Sequence, residues 1–235
     1  MPIYPESDPV SIDSTFLPVE AAHPQAPAFF AQVTEMLDGQ PKDPAAVEAA
    51  LTGWDGFLEQ AAADLYRIAS MLLGEGEETI GLLEKTVATS DIATCTDHVD
   101  ARYNARATLG GYAIELITAR DPAALTAPAD ESGPASCIED DDLSAAGVTS
   151  AELEQMFSGP DQHRLRDWLE GLTAPLRVIF VLRAVAGLST TDVAVLLAEH
   201  GGPAAETWTP DGVRSGFRQA LCSLASQMLH ASSVK

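Results

Sequence analysis

Apolar residues recur at steps of three and four along most of this sequence, a spacing that limits it to packed helices. Leu51, Trp54, Phe57, Leu58, Ala61, Leu65, Ile68 and Leu72 keep one apolar face through a stretch that Pro44 opens and Gly74 closes. Asp43 is placed to cap that stretch, and proline suits the first helical position, where its missing amide leaves nothing unsatisfied. The same spacing returns in "TPDGVRSGFRQALCSLASQML", where Val213, Phe217, Leu221, Leu224 and Met228 share a face. Alanine and leucine are abundant while aromatics make up only 6%, which favours closely packed helices over a β-sandwich. The expected fold class is all-α.

Residues 1–25 are rich in proline and acidic or small polar residues and read as an extended N-terminal arm. "PAFFAQVTEMLDGQ" is a short amphipathic helix closed by Gly39, and "EGEETIGLLEKTVATSD" carries its acidic residues at the positive end of a helix. A further helix runs through "HVDARYNARATLGGYAIELITAR". Residues 121–150 then change character. Proline, small residues and the acidic run Glu139–Asp142 read as a linker, either solvated or serving as an acidic interaction segment. "SAELEQMFSG", "QHRLRDWLEGL", "APLRVIFVLRAVAGL" and "STTDVAVLLAEHGG" continue the helical pattern beyond it. The third of these suits a buried helix, and Ser189 or Thr190 can cap the fourth. The expected organisation is therefore two small helical domains, 26–120 and 151–235, joined by an acidic linker at 121–150.

The chain carries 13 Lys+Arg against 35 Asp+Glu, a formal charge of −22. That charge is uneven: residues 1–160 hold 6 Lys+Arg against 28 Asp+Glu, whereas residues 161–235 hold 7 of each. Affinity for phosphate comes from Lys and Arg displacing condensed counterions. An acidic body within a Debye length opposes it.

Nothing in the sequence points to an enzyme or to a cofactor. No G-x-S-x-G, phosphate-binding glycine loop or H-E-x-x-H is present, and the histidines His23, His98, His163, His200 and His230 are scattered. Cys95 and His98 have a possible metal-ligand spacing, but no second ligand pair follows, so no metal is expected. Cys95, Cys137 and Cys222 lie far apart in the sequence and are odd in number, which argues against a disulfide framework. The N-terminal stretch has neither a basic region nor an apolar one of the secretory kind, and no apolar run reaches bilayer length. The expectation is a cytoplasmic protein with no membrane contact.

"LEGLTAPLRVIFVLRAVAGLSTTDVAVLL" and "TPDGVRSGFRQAL" together resemble region 4 of the sigma-70 family, in its extracytoplasmic-function group. Leu172–Pro175 match the family's leucine and proline turn, Ile179–Arg183 its apolar helix, and Gly187–Ser189 the following turn. Thr191–Leu197 and Gly212–Phe217 match the two helices of its helix-turn-helix. Upstream, "LYRIASMLLGEGEETIGLLEKTVATSD" resembles the family's region 2, and "ARYNARATLGGYAIELITAR" falls where the family's next helix melts promoter DNA. There are departures. Gly216 replaces an expected arginine, and Leu221, Cys222 and Ser223 replace a basic tail. "AEHGGPAAETW" lengthens the turn by about nine residues, Gly81 and Lys85 stand among expected acidic positions, and the melting helix keeps Arg102, Arg106, Arg120, Tyr103 and Tyr112.

The resemblance implies an initiation factor or regulator of transcription. Arg214, Ser215, Arg218 and Gln219, with Thr190 and Thr191, would face promoter DNA. Ile80, Leu83, Glu84 and Val87 would meet RNA polymerase core or an anti-sigma-like protein. The charge balance disfavours the DNA contact. The alternative is a degenerate relative that has lost DNA binding and acts through protein contacts, with such a partner or with a second copy of itself.

Overall fold

The computed structural model describes residues 44–90, 98–127, 137–159 and 162–233. The expected arm at 1–25, the expected helix ending at Gly39, Cys95 and residues 128–136 lie outside them. Among the described residues there are eight α-helices and no strand, so the chain is all-α as its spacing requires. No helix there is long and apolar enough to cross a membrane.

Helix α1 runs Pro44–Leu73 and buries Leu65, Ile68, Ala69 and Leu72 along one face. It stops at Gly74, whose φ of +86° favours glycine and whose amide donates to the Ser70 carbonyl at 2.9 Å. Helix α2 (Glu77–Thr89) begins with two glutamates at its positive end. Helix α3 (His98–Arg120) buries Ala101, Ala105, Leu109, Ala113, Ile114 and Ile117. After a 3₁₀ turn at Leu143–Ala146 come α4 (Ser150–Ser158), α5 (Gln162–Gly171) and α6 (Ala174–Phe180). Thr149 and Glu152 cap α4 reciprocally, each side chain bonding the other's amide, at 3.2 and 2.8 Å.

Helix α6 continues into a π-helical turn, Val181–Val185. Val178 through Leu182 have no solvent exposure, so this segment is the centre of the core. Trp168 meets Phe180 edge-on at 5.0 Å, and Phe180 lies 6.1 Å from Phe217. Helix α7 (Thr190–His200) is capped by Ser189, and α8 (Pro210–Ser233) buries Val213, Phe217, Leu221 and Leu224, the face expected from their spacing, with Met228 half-buried. Helices α7 and α8 pack on each other, α8 on α6, and α3 on both α2 and α7.

The boundary falls between Gly53 and Trp54, and the described residues from Trp54 onward belong to one compact unit. Its buried residues form a single cluster from Leu65 to Leu224, drawn from both expected halves. Nor are the described parts of 121–150 a solvated tether. Leu125, Ile138 and Val148 are buried. The lengthened turn after α7 docks on the first of these. Ala127 N–H donates to Ala204 O at 3.0 Å, and the Trp208 indole donates to Leu125 O at 2.9 Å. The reason is chemical: the segment carries apolar anchors on either side of its acidic run, and burying each anchor stabilises it by the transfer of its side chain from water.

Candidate functional site

The polar face of α8 is the first place to look. Val213 and Phe217 seat the helix, leaving Arg214, Ser215 and Arg218 half-buried and Gln219 exposed. Gly216 is on the inward side: a Cβ there would lie 2.9 Å from Ile179 Cδ1 and 3.5 Å from Leu176 Cδ2. Glycine at 216 thus has a packing cause, because α6 passes so close that a Cβ would have to displace the buried Ile179.

The two arginines on this face are engaged by the acidic run. Arg218 Nη1 donates to the Glu139 carbonyl at 3.1 Å. Arg214 Nε lies 3.4 Å from Asp141 Oδ2, and Arg214 also pairs with Asp211. The same Asp141 oxygen lies 3.8 Å from Arg183 Nη2. Arg183 is held by the π-helical turn, donates to Leu188 O at 2.9 Å and stands 5.2 Å over the Phe217 ring. Asp142 ends the run by capping the 3₁₀ turn. The Ser144 hydrogen bonds hold its carboxyl below the ordinary range.

A covalent bond fixes the near end of this segment. Cys137 and Cys222 form a disulfide with their Cα atoms 5.8 Å apart, and the Cys137 amide donates to Cys222 Sγ at 2.9 Å. The cysteine count had argued against such a bond. Separation of 85 residues in sequence says nothing of separation in space, and the fold sets both cysteines side by side.

Thr190 and Thr191 open α7, the first half-buried and the second exposed. The neighbouring Ser189 and Asp192 tie that helix end to α3. Tyr103 donates its hydroxyl to Asp192, while the Ser189 amide donates to Tyr103 Oη at 3.1 Å. Hydrogen bonds from Ser189 and then Tyr103 lower the pKa of Asp192. The cations of α3 are paired as well. Arg102 and Arg106 share Asp64 at 3.5 and 3.2 Å, Arg106 also reaches Ala186 O at 3.3 Å, and Arg120 pairs with Glu78. Glycines 110 and 111 let α7 approach; a Cβ on Gly111 would lie 2.9 Å from His200 Nε2. His200 bonds Glu115 at 2.9 Å. Burial raises the pKa of Glu115, but His200 and Lys85 outweigh this and lower it.

Helix α2 is amphipathic, with two threonines on its buried side and two apolar residues on its outer side. It buries Thr79, Leu82 and Thr86, and each threonine hydroxyl is satisfied by a backbone carbonyl, Gly74 O at 2.5 Å and Leu82 O at 2.8 Å. Outward it shows Ile80 and Val87, 52% and 50% exposed, with Leu83 half-buried and Glu84 exposed between them. All four expected partner-contact residues therefore share one face of one helix.

A cavity of about 510 Å³ is lined by Arg67, Arg120, Arg166 and Arg177, with Asp121 and Glu170. Carboxylates answer three of those arginines: Asp64 and Glu154 for Arg67, Glu78 for Arg120, and Glu75 for Arg166. No group of metal-binding side chains is found among the described residues. Asp141, Arg183 and the Cys137–Cys222 pair had no signal in local spacing, since each acts through a partner distant in sequence. No protein-family model, curated protein or solved structure matches the chain.

Proposed function

We propose that this chain is a sigma-70-like regulator of transcription that works through protein contact, binding RNA polymerase core or an anti-sigma-like partner with the outer face of α2. The observation that carries this reading is the pair of apolar side chains exposed on the outer face of that helix. Thr79 and Thr86 are buried while Ile80 and Val87 stand in solvent. Leaving two β-branched apolar side chains half exposed forgoes about 1 kcal/mol or more each, on the scale of full burial at 1.5–3 kcal/mol. A partner that covers them recovers it. The resemblance of 60–120 and 161–230 to sigma regions 2 and 4 supplies the kind of partner.

DNA contact is the weaker part of the sigma resemblance here. Arg214 and Arg218 are engaged by Asp141, Asp211 and the Glu139 carbonyl, and an acidic body of net charge −22 surrounds them. Both features oppose phosphate binding. The test is gel filtration of the oxidised, disulfide-intact chain with purified core polymerase, beside a gel shift of the same oxidised chain with promoter DNA at low salt. Co-elution with core and no shift supports the reading. A DNA shift with no co-elution rejects it.

A further inference from the structure

The acidic segment follows α8 in register. Cys137 meets Cys222, the Glu139 carbonyl meets Arg218, and the Asp141 carboxylate meets Arg214. Each step is two residues on the segment and four on the helix, in opposite directions. Two extended residues cover about 6.6 Å. Four helical residues rise about 6 Å. The two repeats coincide, so one strap spans two helical turns with a contact at each. Between the contacts Ile138 is buried, and Arg183 joins Arg214 on the same Asp141 oxygen. A carboxylate shared by two guanidinium groups occupies donors that can equally take a phosphate oxygen.

We propose that the Cys137–Cys222 disulfide is a redox latch: oxidised, it holds residues 137–142 over the arginine face of α8, and reduction frees that face for nucleic-acid phosphates. This rests on reading α8 as a nucleic-acid-facing helix. The ion pairs alone are poor locks, because Arg214 and Asp141 are 40% and 36% exposed and pairs so open are worth little. The buried Ile138 seats the strap, and the covalent bond closes the end that no ion pair holds firmly. Cys137 is exposed, so a dithiol reductant reaches it. A thiolate of the reductant attacks one sulfur, the Sγ–Sγ bond breaks, and a mixed disulfide forms between protein and reductant. The second thiol of the reductant then resolves it. Two electrons and two protons pass to Cys137 and Cys222, and the reductant leaves as a cyclic disulfide. In a reducing compartment such a bond persists only transiently, as sensing disulfides do.

Two measurements on the full chain separate the latch from the reading beneath it. The first is thiol alkylation with mass spectrometry, followed by hydrogen exchange. Cys137 and Cys222 are expected to resist alkylation until reduced, and the amides of 138–142 to exchange faster after reduction or in Cys137→Ser, with α6 unchanged. The second is binding of short duplex DNA across a salt series. Freeing Arg218, and the Arg183–Arg214 pair that shares one anion position, should steepen log affinity against log salt by about 1.8, at about 0.9 per phosphate contact. Alkylation of both cysteines without reductant, or unchanged exchange on reduction, overturns the latch. Faster exchange with no DNA binding upholds the latch and overturns the nucleic-acid reading of α8.

Discussion

The phenol of Tyr103 donates to the carboxylate of Asp192, joining the middle of the chain to the first turn of α7. Ser189 closes the arrangement, capping the helix through the Asp192 amide at 3.1 Å and donating its own hydroxyl to the same carboxylate at 2.5 Å. This contact sits on the seam between segments that the sequence assigns to separate domains.

Removing it should be felt across the whole unit. Tyr103→Phe is expected to cost about 1.5 kcal/mol in urea unfolding, the scale of a hydrogen bond to a charged group. Its pH dependence has a definite sign. The folded pKa of Asp192 is lowered from an ordinary 3.8, by Ser189 first and Tyr103 second, so its stabilisation is present above that value. It is lost as pH falls through and below it. The difference between wild type and Tyr103→Phe should therefore shrink in acid.

Two glycines inside helices should respond to alanine with opposite signs. At Gly81 a Cβ meets nothing within 4 Å, so Gly81→Ala is expected to stabilise by about 0.5–1 kcal/mol through chain entropy. At Gly111 it would meet the His200 ring at 2.9 Å. Gly111→Ala is expected to destabilise by about 1–3 kcal/mol, as overpacking does. Thermal unfolding of the two variants reads both signs.

The docking of the long turn after α7 is tested by Trp208→Phe. The substitution leaves the Leu125 carbonyl without its indole donor, now at 2.9 Å in a buried position. The expected loss is about 1–3 kcal/mol in denaturant unfolding.

Local structure was legible in the sequence because it is written in neighbouring residues. Pro44 starts α1, Gly74 stops it, Ser189 caps α7, and the stripe from Val213 to Leu224 faces the core. What was not legible depends on pairs far apart. The Cys137–Cys222 bond, the hold of Asp141 on Arg183 and Arg214, and the seating of α3 on α7 have no local spacing that announces them. The acidic run read as a linker because composition shows charge and cannot show which cations it meets. Gly216 read as an eroded recognition residue, whereas its neighbour Ile179 gives it a steric role.

On α2, Ile80→Asp and Val87→Asp should each cost about 1 kcal/mol, the buried half of the side chain's transfer, and leave the fold intact. Both are expected to abolish association with a partner that covers that face, read by anisotropy of the labelled chain.

The most direct measurement is amide hydrogen exchange of the chain with and without purified core RNA polymerase. Protection of Glu77–Thr89 on adding core, abolished in the Ile80→Asp/Val87→Asp double variant, is the expected result. Absence of protection in that helix, or equal protection in the variant, would contradict the assignment of its outer face to a protein partner.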